Sequence, residues 1–324
     1  MIKVFLTFIS FYVLSGCALA QSGSPPPLDR AIVIEAVADH LETNYVEAES
    51  TGSSAARQLR TDWSTGLFIS ARHGEAFAAM LSERMQALTG DGHLNVEYFA
   101  EPIGENEEAK SDFDQAQMER WYGAQVNYGV YSVQRLDGNV GYLDLRVFAP
   151  IDMGGDTVAA AMTVIADMDA LIIDLRKNGG GIGDAANLVA SYLFGPERQP
   201  LTGVYDRPTD TLTQNFTQPH ISGKRFGPDK PVYILISPKT FSAAEALAYD
   251  LRALERAVIV GEPSGGGAHP FEYVRINTHF VLWSVTAKSV NPFTLENWQT
   301  VGVQPDILIN SEDALERALE EIRN

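Results

Sequence analysis

One cysteine, Cys17, is all the chain contains. No intrachain disulfide can form, and a cysteine-rich zinc site is excluded with it. None of the six histidines makes an H-E-x-x-H pair, so the zinc-hydrolase helix signature is missing as well. Basic residues are scarce, 24 against 42 acidic ones for a formal net charge of -18. Nucleic-acid binders cluster lysine and arginine, and no such block exists here, so a nucleic-acid partner is not expected. No repeat recurs at the spacing of about 20–50 residues that marks solenoids and propellers. A P-loop is absent too. The glycine run at 179–181 is not followed by the Lys-Ser/Thr pair that a phosphate cradle requires.

Apolar residues make up 45% of the 324 positions and charged ones 20%, enough to bury a core in one large domain or two modest ones. Residues 1–20, "MIKVFLTFISFYVLSGCALA", carry a lysine, an apolar run and then small residues, the pattern of a secretory signal. "LSGC" resembles a bacterial lipobox, which would make Cys17 the lipidated first residue of the mature chain. "ALA" before Gln21 is the competing cleavage site and would leave the product unmodified. The lipobox reading predicts an exported, periplasmic lipoprotein. Because Ala18 is not an aspartate, the anchor would be in the outer membrane, and membrane contact would run only through the lipid. Residues 21–28 form a Ser/Pro tether.

Residues 29–125 read as a helical subdomain. "AIVIEAVADHLETNYV" and "EAFAAMLSERMQALTGDGH" have apolar residues at helical spacing, and the second helix should end at "TGDG", where Gly90 and Gly92 are good terminators. Residues 101–122 read as an acidic surface connector with a helix at its end. From 126 to 324 the pattern changes. The short β-branched runs "NVGYLDLRVF", "DALIIDLRKN", "KPVYILIS" and "RAVIVGEP" alternate with helix-like stretches, which predicts an α/β sheet with crossover helices. A capped helix is expected from Ser311.

Ser242, in "KTFSAAEALAYDL", lies between a buried strand and a helix. As a structural residue it would cap the helix, with Glu245 as the reciprocal partner of a capping box. As a nucleophile it would gain from the helix dipole, and the Ala243 N–H would face an oxyanion. The elbow pattern G-x-S-x-G is absent. In "DLRKNGGGIGDAANL" a strand runs into a triple glycine and then a helix, a turn able to offer a second oxyanion donor. His93 and His269 each follow glycines, and each by itself could be only a core or surface residue.

Six segments occur in the order found in the S41 serine peptidases: "LTGDGHLNV", "VGYLDLRVF", "LIIDLRKNGGG", "ISPKTFSAAEALAYDL", "RAVIVGEPSGGGAHP" and "NWQTVGVQPDI". The chain resembles that family, the tail-specific or C-terminal processing proteases and their relatives, over about residues 30–320. It is most similar to the interphotoreceptor retinoid-binding and tricorn-like branch. Only about forty residues separate "HLNVEYF" from "VGYLDL", too few for the PDZ domain of the tail-specific members. Those members also place a lysine in the glycine segment after the serine helix. Here that segment reads "PSGGGAHPFEY", and the first lysine beyond Ser242 is Lys288.

The resemblance implies a crotonase- and ClpP-like spiral α/β catalytic domain beside the helical subdomain. It also implies an exported serine peptidase acting on peptide or protein substrates, with no metal or cofactor. In that reading Ser242 is the nucleophile, His93 its general base with His269 as the rival, and the N–H groups of Gly180 and Ala243 hold the oxyanion. A glutamate just before "GV" often steadies the histidine in this family. Gln299 falls where that acid would align, and Glu296 stands three residues earlier. The alternatives are a catalytically weak binding protein for a hydrophobic molecule or peptide on the same fold, and an esterase.

Overall fold

The computed structural model describes residues 29–104 and 107–324. The signal segment, Cys17 and the Ser/Pro tether lie outside the described residues. The amino-terminal part contains α1 (Arg30–Thr43), α2 (Ser53–Ser64), α3 (Gly74–Thr89), β1 (Asn95–Tyr98) and α4 (Glu107–Tyr122). Asp29 starts α1 by accepting the Ile32 N–H, an N-cap bond of the ordinary kind. Gly90 ends α3 in the left-handed conformation, φ 73°, as its position predicts.

The rest of the chain runs β2 (Val130–Leu136), β3 (Val140–Leu145), α5 (Ile151–Ile165), β4 (Ala170–Asp174), α6 (Gly183–Ser191), β5 (Pro200–Asp206), β6 (Thr211–Phe216), β7 (Val232–Ile236) and α7 (Ala243–Ala253). It closes with β8 (Val258–Gly261), β9 (Glu272–Arg275), β10 (Phe280–Ser284), β11 (Ala287–Val290), β12 (Ile307–Leu308) and α8 (Ala314–Arg323). The main sheet has the order β12-β8-β7-β4-β3-β2. It is parallel except for β2, which pairs antiparallel with β3.

Every residue of β4, "ALIID", is buried, as a central parallel strand covered on both faces requires. Its side chains alternate between layers. Leu171 and Ile173 join the core under α5, α6 and α7, while Ala170 and Ile172 face the core closed by Ala314 and Ala318 of α8. That last helix starts at Ala314 rather than Ser311. Ser311 is engaged elsewhere, its N–H on Glu262 and its carbonyl under the Arg176 guanidinium.

The helical part does not close on itself. β1 pairs with β10, and β10 with β9, in a small antiparallel sheet. Phe280, Leu282 and Val285 complete the apolar core built on Val33, Leu59, Phe77 and Leu81. The two parts of the sequence are thereby stitched together beside the carboxyl ends of the parallel strands, where ligands of open α/β sheets bind. Among the described residues no helix is long and apolar enough to cross a membrane.

Candidate active site

Ser242 follows β7 at the mouth of α7 with φ 56° and ψ -121°. A non-glycine residue held at positive φ is strained, and such strain persists only where the surroundings impose it. The surroundings are dense. Glu245 Oε2 accepts the Ser242 N–H at 2.7 Å, the reach-back half of a capping box. Thr240 Oγ1 donates to the Leu175 carbonyl and its own carbonyl accepts from Gly265. The Phe241 N–H donates to Asn178 O.

Asn178 ties this turn to the sheet. Fully buried, it donates from Nδ2 to Leu145 O at 3.0 Å and accepts the Gly180 N–H on Oδ1 at 2.8 Å. The Gly180 N–H was expected at the oxyanion. It is instead held by the Asn178 amide, because the tight glycine turn folds that side chain back onto it. Gly180 contributes proximity. At φ +109°, a Cβ there would lie 2.7 Å from Ser242 Cβ and 3.3 Å from the Ala243 nitrogen. Ala243 opens α7, and its N–H has no acceptor among the described residues.

Glu245 is fully buried and accepts four bonds: from the Ser242, Gly266 and Gly267 N–H groups and the Ser264 hydroxyl. Burial pushes its carboxyl above the ordinary glutamate range, against those donors. It welds the serine turn to the glycine loop 264–267.

His93 and His269 come from opposite sides of the interface, and both are buried. His93 packs on Phe241, the residue before Ser242, with ring centroids 4.6 Å apart. Neither of its ring nitrogens has a hydrogen-bond partner, and burial lowers its pKa to about 4. It therefore shares the cavity with Ser242 without bonding to it. His269 Nδ1 lies 2.6 Å from Asp91 Oδ2.

Asp91 is the residue the sequence reading missed. It is fully buried and accepts the Tyr45 hydroxyl at 3.1 Å and the His93 backbone N–H at 3.0 Å, and its Oδ1 lies 3.8 Å from His93 Nδ1. Burial would raise its pKa, but the His269 bond and charge outweigh that and hold the carboxyl below the usual range. The signal was present: the aspartate of "GDGH" precedes the histidine by two residues.

The two orienting candidates near "GV" contact neither histidine. Glu296 is exposed. Gln299 accepts the Ala268 N–H at 2.7 Å and approaches Gly90 O at 3.5 Å, bridging the two parts of the chain by backbone contacts. Lys288 pairs with Glu47 at 2.9 Å.

Ser242, His93 and His269 line one cavity of about 630 Å³. One wall is aromatic: Phe271 stacks on Trp283 at 4.7 Å, and Tyr273 on Trp121 at 5.8 Å. Among the described residues, no group of three or more histidine, cysteine, aspartate or glutamate side chains could hold a metal ion.

A carboxyl-terminal-processing peptidase 3, chloroplastic, of Arabidopsis thaliana is 29% identical over 168 residues, 52% of this chain and 31% of that one. The chain spans about a third of the length of the curated relatives it matches. The fold is shared with a candidate peptidase from Parabacteroides merdae, at TM-score 0.62 and 16% identity over 91% of this chain and 97% of that one. A lipoprotein from Streptococcus agalactiae has it too, at TM-score 0.58 and 13% identity over 94% and 99%. Residues 29–123 match the N-terminal domain of Peptidase_S41 in eukaryotic IRBP. The sheet with its serine turn and glycine loops, residues 139–309, matches the family model itself, and the chain belongs to peptidase family S41.

Proposed function

We propose that this protein is a serine peptidase that cleaves peptide bonds through an acyl-enzyme at Ser242. The observation that carries the reading is the strained backbone of Ser242, held at a helix N-terminus with an acceptor-free Ala243 N–H beside it. An ordinary N-cap serine has extended backbone angles. This one lines the cavity and holds a positive φ at an energetic cost that a capping role would not need.

The Ser242 hydroxyl oxygen attacks the substrate carbonyl carbon as the base removes its proton, and the carbonyl oxygen takes up negative charge. The Ala243 N–H lies where the dipole of α7 adds to its pull on that oxygen. The second donor is the Gly181 N–H, the next along the glycine turn, which donates to nothing among the described residues. The base returns the proton to the leaving amine, and water then repeats the sequence on the ester.

His93 is the base in this reading, because it packs on Phe241 and opens on the same cavity. A small rotation would bring its Nδ1 from 3.8 Å into hydrogen-bond range of Asp91, and catalytic contacts often tighten only when substrate is present. One contact favours His269 instead: its ring is already oriented by Asp91 at 2.6 Å. Comparing fluorophosphonate labelling of His93→Ala and His269→Ala decides between them, since the base variant should label at least about a hundredfold more slowly.

The aromatic wall and the missing His93–Ser242 bond favour a second reading, a binding protein for an apolar molecule or peptide. Reaction of the folded protein with a fluorophosphonate, blocked by Ser242→Ala, would support the peptidase. A folded protein that never labels would support the binder. Export and lipidation of Cys17 belong to the same proposal, and the mass of the mature amino terminus tests them: a diacylglyceryl-cysteine supports the anchor, and an unmodified Gln21 start removes it.

A further inference from the structure

Asp250 has no part in the chemistry above, yet it lines the same cavity as Ser242. Ser242, Ala246 and Asp250 are spaced i, i+4 and i+8, one face of α7. At 1.5 Å per residue Asp250 lies about 12 Å from Ser242 along the helix axis. Ala246, between them, contributes only a methyl group to the wall.

The carboxylate is 3% exposed. Its Oδ1 takes every bond the protein offers: the Thr202 hydroxyl at 2.6 Å, the Thr202 N–H at 2.9 Å and Asn291 Nδ2 at 3.0 Å. Among the described residues Oδ2 accepts no hydrogen bond, and Asp250 lines the cavity. Its hydrogen-bond partners are neutral, Thr202 of β5 and Asn291 just past β11, and Asn215 of β6 and Ser289 of β11 line the same cavity. The other ionisable groups of the cavity are Arg146, His93, His269, Tyr122 and Tyr273. Burial raises the Asp250 pKa to about 7, against the bonds from Thr202 and Asn291. A buried carboxylate without a cation is expensive to hold, and a cation from outside would relieve it.

We infer that Asp250 is a specificity residue: its free Oδ2 receives the cationic end of a long side chain, lysine or arginine in class, from the residue on the acyl side of the bond that Ser242 attacks. The apolar stem of such a side chain suits the Ala246 corridor, and its charged head reaches Oδ2 at the far end. The net charge of -18 draws cationic peptides toward the protein at long range. This inference rests on the peptidase reading for the position of the scissile bond, but binding of a cation at Asp250 can be tested without it.

Two measurements on the full chain separate the two. In the first, kcat/KM is compared for matched peptides with lysine, leucine or glutamate before the scissile bond. The lysine-to-leucine ratio should exceed about ten in the wild type and fall at least about tenfold in Asp250→Asn. A wild type without lysine preference, or a ratio unchanged in Asp250→Asn, overturns the inference while leaving the peptidase intact. In the second, benzamidine binding to Ser242→Ala is measured by calorimetry, with and without Asp250→Asn. Binding that weakens about tenfold with the second change supports the site even if no peptide is ever cleaved. Absent or unaltered binding contradicts it. Should Asp250→Asn fail to fold, benzamidine binding to Ser242→Ala should still weaken between about pH 8 and about pH 5, as Asp250 protonates. Binding that does not change with pH would overturn the site.

Discussion

Asp91 and His269 meet across the interface between the helical part and the sheet, with Oδ2 and Nδ1 2.6 Å apart and both side chains buried. The carboxylate also holds the Tyr45 hydroxyl and the backbone of His93. Asp91→Asn keeps the shape but offers a donor where acceptors are required, which fixes the wrong histidine tautomer. On the proposed peptidase reading, peptide hydrolysis should fall by about 10³–10⁴. Asp91→Ala should in addition cost about 3–5 kcal/mol, because it strips a buried group from its partners. Urea titration measures the second effect, and initial rates measure the first. A variant with unimpaired turnover would show that Asp91 is structural only.

Gly180 has no side chain because Ser242 occupies the space. Gly180→Ala places a methyl group 2.7 Å from Ser242 Cβ at a backbone φ of +109°. Either strain alone costs more than about 1 kcal/mol, and the serine turn must shift to relieve them. The expected outcome is a loss of at least about a hundredfold in kcat, since nucleophile and oxyanion donors move apart. Gly179→Ala, which meets nothing within 4 Å, is the matched control for a glycine change in the same loop.

Burial sets the pH behaviour of His93. Its folded pKa is about 4, against 6.5 for the free side chain. The unfolded chain therefore takes up this proton first as pH falls, and the native state resists until about pH 4. Stability from this group is complete above the unfolded value and is lost as pH drops from 6.5 toward 4, by about 3 kcal/mol at about 1.36 per unit. His40 behaves alike, its pKa also lowered by burial to about 4, so the test is a difference. Denaturation of His93→Phe should show a shallower fall over this range than the wild type. Parallel curves would contradict the assignment.

Gln299 tests where the orienting acid resides. Its amide accepts from Ala268 and faces the Gly90 carbonyl with its nitrogen. In Gln299→Glu a carboxylate would replace that nitrogen and oppose the carbonyl. Turnover should not rise, and stability should drop by about 1 kcal/mol. A gain in kcat would mean that the side chain swings to a histidine during catalysis.

Four strands of the main sheet, β3, β4, β7 and β8, were legible because runs such as "ALII" and "VYILI" are almost wholly apolar, as strands covered on both faces must be, whereas the polar β2 and the two-residue β12 were not. The β1–β10–β9 sheet was not, because β1 is distant in sequence from β9 and β10 and β9 is mostly exposed. The hairpin of β5 and β6 was missed for a similar reason: "TLTQNF" has no apolar face to betray it. Ser242 and its glycine turn stood out through the strand–turn–helix pattern. Asp91 did not, because an aspartate between two glycines reads first as a turn residue. The Asn178 bond that occupies the Gly180 N–H depends on a side-chain conformation, and no spacing rule reports that. Gln299 was placed by alignment with an acid, whereas its neighbours in space are backbone groups.

The most direct test of the central claim is the intact mass of the folded protein after reaction with a fluorophosphonate, with the adduct located by peptide mapping. The account predicts one adduct, on Ser242, absent from Ser242→Ala with the fold retained and about 1 kcal/mol or less lost in stability. A folded wild type that takes no adduct, or takes it on another residue, would contradict the assignment of Ser242 as nucleophile.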